Sequence, residues 1–204
     1  MPFTGRGRKA KRDKAAAPEP GQISLEGTRL QSPRLNFKIP ASPHTIFLGL
    51  GPGSRSAEVG HYFPGATTQF WNFLYESGMW PEPITAERDD EILGDGFGLA
   101  DVSRRPTKGA VHLTKSAYSE ARRIVRELIA AHHPRVLAFV GKESYAVFLR
   151  TPTHRLEHGP QPDFEGCRVY LLPTPSNRNQ SIPRKAKLEH YRALAEIVKQ
   201  VRRG

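Results

Sequence analysis

Hydrophobic positions follow two rhythms along this chain. Thr45-Ile46-Phe47-Leu48-Gly49-Leu50 is a short apolar run closed by glycines. Gly96-Phe97-Gly98-Leu99-Ala100-Asp101-Val102, Arg135-Val136-Leu137-Ala138-Phe139-Val140 and Arg168-Val169-Tyr170-Leu171-Leu172 repeat the pattern. Unbroken runs of this length predict strands covered on both faces. Between them the period lengthens. Phe70, Trp71, Leu74 and Tyr75 fall at helical spacing within residues 68–78, as do Ile124, Val125, Leu128 and Ile129 within residues 116–133, where Pro134 ends the segment. Gly141 leads into a helix through Tyr145 and Phe148, and a last helix starts near Pro183 and buries Leu188, Tyr191, Leu194, Ala195 and Val198. Thr85 is expected to cap a short helix rich in Glu87, Asp89, Asp90 and Glu91. Strands alternating with helices predict an α/β fold: a three-layer α/β/α sandwich around a central, mostly parallel sheet of four or five strands.

The first 35 residues break this pattern. Gly5-Arg6-Gly7-Arg8-Lys9-Ala10-Lys11-Arg12 is basic and glycine-interrupted, and Ala15-Ala16-Ala17-Pro18-Glu19-Pro20-Gly21 follows as a linker. Such a stretch holds too little apolar surface to offset its ordering entropy. Residues 1–35 are therefore expected to form a disordered basic tail and residues 36–204 a single domain. Net charge sharpens the picture. The sum is +11, and its placement matters more. Residues 1–38 carry nine basic and three acidic side chains and residues 178–204 eight and two, while the 14 and 15 between them balance. Basic ends point to a polyanionic partner or to solvated termini.

Other classes drop out. The lone Cys167 rules out an intrachain disulfide, and with it any zinc site built on four cysteines or on two cysteines and two histidines. No apolar run approaches the roughly 20 residues of a membrane span, and no membrane partner is expected. A reducing, intracellular setting is expected, beside the nucleoid in a bacterial cytoplasm or in a eukaryotic nucleus. The histidines show no metal spacing, and no metal or organic cofactor is expected.

In open α/β sheets, ligands bind beyond the carboxyl ends of the strands. That rule selects residues 49–53, 101–107, 141–142 and 173–180. Gly49-Leu50-Gly51-Pro52-Gly53 serves either as a tight turn or as a cradle of backbone N–H groups; it lacks the last glycine of a dinucleotide fingerprint and the lysine of a Walker loop. Pro173-Thr174-Pro175-Ser176-Asn177-Arg178-Asn179-Gln180 is stiffened by prolines and holds Arg178 at its tip. Asp101 ends a strand among apolar neighbours, where a carboxylate is costly unless paired with a base such as Arg104, Arg105 or Lys108, or used.

Taken together and in this order, these segments resemble the uracil-DNA glycosylase superfamily, and within it the mismatch-specific uracil and thymine-DNA glycosylases. The resemblance spans about residues 44–200. It rests on the 49–53 loop, on Gly60-His61-Tyr62-Phe63-Pro64-Gly65 with Phe70-Trp71 behind it, on Arg105-Pro106-Thr107, on Leu137-Ala138-Phe139-Val140-Gly141-Lys142, and on Leu172-Pro173-Thr174-Pro175-Ser176. It implies an enzyme that flips uracil, or a related damaged or mismatched pyrimidine opposite guanine, out of double-stranded DNA and hydrolyses its N-glycosidic bond. Phe63 would stack on the flipped base, and amides near Leu50, Gly51 and Phe63 would bind its polar edge. Ser56 would face pyrimidine C5, and Ser176 would complete the pocket. Pro175, Asn177, Arg178 and Asn179 would enter the duplex. Arg105, with Arg104, Lys108 and the charged chain ends, would hold phosphates. The implied enzyme is a monomer without Schiff-base chemistry.

One departure matters. Where this branch carries a water-positioning asparagine the chain has Gly51, and Thr174 stands where a histidine would compensate. Other branches without that asparagine use an aspartate, which makes Asp101 the expected catalytic group, with Asp95 as second choice. Two rivals follow: a lesion-binding protein of the same fold that has lost catalysis, and an unrelated α/β nucleotide-binding protein using the 49–53 turn.

Overall fold

A computed structural model describes residues 35–104 and 114–203. Five strands form one sheet: β1 (Thr45–Gly49), β2 (Phe97–Asp101), β3 (Val136–Val140), β4 (Gly159–Phe164) and β5 (Cys167–Leu172), in the order β2-β1-β3-β5-β4. The β1–β2, β1–β3 and β3–β5 pairs are parallel, and β4 pairs antiparallel with β5. The helices are α1 (Ser54–Val59), α2 (Phe70–Glu76), α3 (Lys115–His132), α4 (Lys142–Leu149) and α5 (Arg184–Arg203).

The pleat divides the core in two. Phe47, Phe97, Leu99, Val136, Ala138, Tyr170 and Leu172 face α2 and α5, meeting Phe70, Phe73, Leu74, Leu188, Tyr191 and Leu194. Ile46, Leu48, Ala100, Leu137, Phe139, Val169 and Leu171 face α3 and α4, meeting Ile124, Val125, Leu128, Tyr145 and Phe148. Alternating residues of each central strand thus bury against opposite layers, which is why those strands read as continuous apolar runs. The α/β/α sandwich and its mostly parallel sheet are as expected.

The differences have local causes. β4 carries Pro160 and Pro162 and buries only Gly159 fully, as suits an edge strand, so its sequence lacks the apolar run of its neighbours. Its hairpin to β5 turns on Glu165 and Gly166, both at positive φ (+48° and +84°), a turn usually announced by Asn-Gly or Asp-Gly. The acidic stretch after Thr85 forms two short 3-10 segments, Ala86–Arg88 and Glu91–Asp95, and the Thr85 side chain makes no cap bond to the backbone. Its charges go sideways, as in the bridges of Arg88 to Glu82 and Glu91. At the amino-terminal edge of the domain Leu35 is already buried, and Lys38 exchanges backbone hydrogen bonds with Leu99 at 2.9 and 2.7 Å. The preceding tail lies outside the described residues.

Candidate active site

The carboxyl ends of β1 and β2 finish side by side, with Gly49 paired to Asp101. The Val102 amide donates to the Gly49 carbonyl at 2.9 Å and fixes this register. A Cβ on Gly49 would stand 2.4 Å from Asp101 Oδ1, so a side chain there would push the carboxylate out of its present position. Asp101 is 4% exposed, and its Oδ2 has no hydrogen-bond partner among the described residues. Burial pushes its pKa up to about 7, against a smaller opposite pull from Arg104. The Arg104 guanidinium lies 3.8 Å over the ring of Phe37, and no described base pairs with Asp101. Arg105, Pro106, Thr107 and Lys108 lie outside the described residues.

A cavity of about 250 Å³ opens above this floor. Its lining brings together most of the residues singled out from the sequence: Leu50, Gly51 and Ser56 from the first loop and α1, Phe63 from the second, Asp101 below, and Pro175 with Ser176 from the last. A cavity somewhat below the usual range for drug-sized ligands suits a single small ring.

The Phe63 wall is clamped from several directions. Phe63 adopts φ +49°, a conformation that a bulky residue keeps only under outside constraint. The Trp71 indole N–H donates to the carbonyls of Tyr62 and Phe63, at 3.2 Å each. The Phe63 ring stacks on Phe70 with centroids 4.0 Å apart. One residue earlier, the Tyr62 amide donates to Asp89 Oδ2 at 2.8 Å, while Lys38 Nζ (2.6 Å) and His61 Nδ1 (3.0 Å) meet Oδ1. Asp89 is fully buried and serves as the anchor of the 60–65 loop. Nothing local in the sequence singles it out from the acidic residues around it.

The 173–180 loop is tied to the same wall. Thr68 and Ser176 form an antiparallel bridge, Gln69 N–H donates to the Pro175 carbonyl (2.9 Å), and Asn177 N–H donates to the Thr67 carbonyl (2.8 Å). From below, Lys187 Nζ donates to the carbonyls of Ser176 (2.9 Å) and Asn179 (2.7 Å). Lys187 is buried at the start of α5, and desolvation lowers its pKa. Asn177, Arg178 and Asn179 are exposed on this loop, and the Arg178 side chain has no partner among the described residues.

The remaining candidates separate from the cavity. Asp95 lies at the opposite end of β2 and pairs with Arg202. Cys167 opens β5, donates to the Pro134 carbonyl, and has its thiol pushed up to about 11 by burial, which removes it as a nucleophile. The basic C-terminal helix does not present its charge toward the site as a whole. Arg202 pairs with Asp95, Arg184 with Glu76, Arg192 with Glu189 and Lys199 with Glu196. Among the described residues no cluster of three or more His, Cys, Asp or Glu side chains could hold a metal ion.

Comparison with known proteins places this arrangement. Residues 37–199 match the model of the Uracil DNA glycosylase superfamily. A G/U mismatch-specific uracil DNA glycosylase of Schizosaccharomyces pombe is 28% identical over 101 residues, 48% of this chain and 31% of the relative. The match therefore spans about a third of that protein's length. A solution NMR structure from Methanosarcina acetivorans, described as a candidate uracil DNA glycosylase, superposes with a TM-score of 0.55 at 15% identity, over 82% of this chain and 98% of that one. At that identity the likeness concerns the fold.

Proposed function

The chain belongs to the uracil DNA glycosylase superfamily, and from that premise we propose that it is a monofunctional DNA glycosylase that removes uracil, or a related mismatched pyrimidine, from duplex DNA. The observation that carries this reading is a single one. A buried carboxylate with an unpartnered oxygen lines a cavity that suits one ring and is walled by an aromatic side chain.

The chemistry follows from the parts. A base in the stack is out of reach, so it is extruded at a cost of a few kcal/mol. The 175–180 loop, braced by Lys187, enters the space left behind, with Arg178 at its tip. The flipped ring rests on Phe63, whose strained backbone is held by Trp71, and Leu50, Gly51, Ser56 and Ser176 line its edges. Asp101 accepts a proton from water as the water oxygen bonds to C1′ of the sugar. The C1′–N1 bond breaks, and its electron pair leaves on the pyrimidine. The carboxylate's charge also stabilises the positive charge developing on the sugar. Gly51 has no side chain with which to hold that water, so the task passes to the neighbouring strand end.

Single-turnover cleavage of a duplex with one G·U pair, with alkali to reveal abasic sites, tests this. Wild type is expected to cleave, with a rate that rises with pH through about 7 as Asp101 ionises. Asp101→Asn is expected to lose at least about 100-fold in rate with duplex affinity retained. Tight binding without cleavage by wild type would instead establish a lesion binder, the reading that Gly51 favours.

A further inference from the structure

Four buried side-chain polar atoms lack a hydrogen-bond partner among the described residues: Tyr62 Oη, Trp80 Nε1, Asp101 Oδ2 and Tyr191 Oη. Of these residues, Tyr62 and Asp101 line the candidate cavity. A buried hydroxyl with no partner is costly, and two residues of one small cavity wall that each carry an orphaned polar atom mark a place where a third, polar group belongs. Tyr62 is only 3% exposed, and its backbone is pinned on both sides, by Asp89 at the amide and Trp71 at the carbonyl. The ring is thus carried by the most constrained segment of the site.

We propose that Tyr62 is a second catalytic residue, whose phenol holds the attacking water against Asp101. This rests on the glycosylase reading and adds to it a group that the sequence comparison with the family did not single out. Water has the right complement of sites. One lone pair accepts the phenolic proton, one hydrogen is donated to the Asp101 carboxylate, and the second lone pair remains free for C1′. When the C–O bond forms, Asp101 takes the donated proton and the electron pair of the broken bond leaves with the pyrimidine. The phenol only donates and keeps its proton throughout. Burial, reinforced by the negative charge of Asp101, raises the Tyr62 pKa, so the phenol is a donor at any pH at which the carboxylate is ionised. The two side chains supply between them an acceptor and a donor, which a single amide side chain at position 51 would have combined.

The test is a cycle of Tyr62→Phe, Asp101→Asn and the double variant, in the full chain, on the G·U duplex. Removing an unpartnered hydroxyl keeps the ring packing, so the melting temperature of Tyr62→Phe is expected to be no lower than wild type. Its single-turnover rate is expected to fall about tenfold or more, with duplex affinity unchanged. The double variant is expected to be no slower than Asp101→Asn alone, because the two groups act on one water. A Tyr62→Phe protein that cleaves like wild type, or one that loses affinity while keeping its rate, overturns the assignment. Multiplicative losses in the double variant overturn it too. A wild-type protein that releases no pyrimidine overturns the glycosylase reading itself, and the tyrosine's role with it.

Discussion

Ionising Asp101 places a charge where almost no water reaches, and that has a thermodynamic signature independent of catalysis. The carboxyl's ordinary pKa is 3.8, and in the fold it is about 7. Between those values the folded chain holds a proton that the unfolded chain has released, so stability falls as pH rises through the window and the full cost is present above about 7. Asp101→Asn removes the cost. Its unfolding free energy is expected to exceed that of wild type at pH 8, by an amount on the order of 4 kcal/mol or less, with the gap, and the matching rise in melting temperature, closing toward pH 4. Thermal melts at both pH values measure it, and a variant less stable than wild type at pH 8 would mean that a partner stabilises the carboxylate. The sequence points to Asp101 because an acid ending an apolar strand is conspicuous. Tyr62 is not conspicuous there, because an aromatic beside Phe63 reads as core until the fold leaves its hydroxyl buried without a partner and its residue in the cavity lining. Asp89 is invisible for another reason: its partners Lys38 and His61 stand 51 and 28 residues away.

Among the elements, α5 does two jobs. Its Leu188, Tyr191, Leu194 and Val198 cover one face of the sheet, while Lys187, one residue before that stripe, props up the 173–180 loop. A lysine flush with an apolar stripe is a signal that sequence can supply, since its neighbours Leu188 and Tyr191 are buried. Lys187→Met keeps the aliphatic stem and removes both hydrogen bonds. It is expected to weaken duplex binding roughly tenfold, about 1.4 kcal/mol, with little change in melting temperature because the desolvated charge goes too. Binding isotherms on the G·U duplex check this, and unchanged affinity would mean that the loop holds its shape without the lysine. The sheet shows where sequence patterning stops. The central strands, covered on both faces, are plain in the sequence. β4 is hidden because an edge strand with two prolines looks like a loop until β5 is there to pair with it.

Across the whole molecule, charge and shape complement each other only in part. Within the C-terminal basic segment, Arg192 and Lys199 pair with its own Glu189 and Glu196, while Arg184 and Arg202 pair with Glu76 and Asp95 elsewhere in the fold. Leu35, the first described residue after the other basic end, lines the cavity. Deleting residues 1–34 is therefore expected to weaken duplex binding and to flatten its dependence on salt, while the single-turnover rate at saturating protein stays the same. Affinities across a range of salt concentrations measure this, and an unchanged slope would make the segment a passive extension. Gly49 carries a last consequence, and it concerns heredity. Every missense change at a glycine codon installs a side-chain carbon, and here that carbon would lie on the Asp101 carboxylate. Codon 49 thus has no conservative neighbour. Any drift there has to move the carboxylate from its present place.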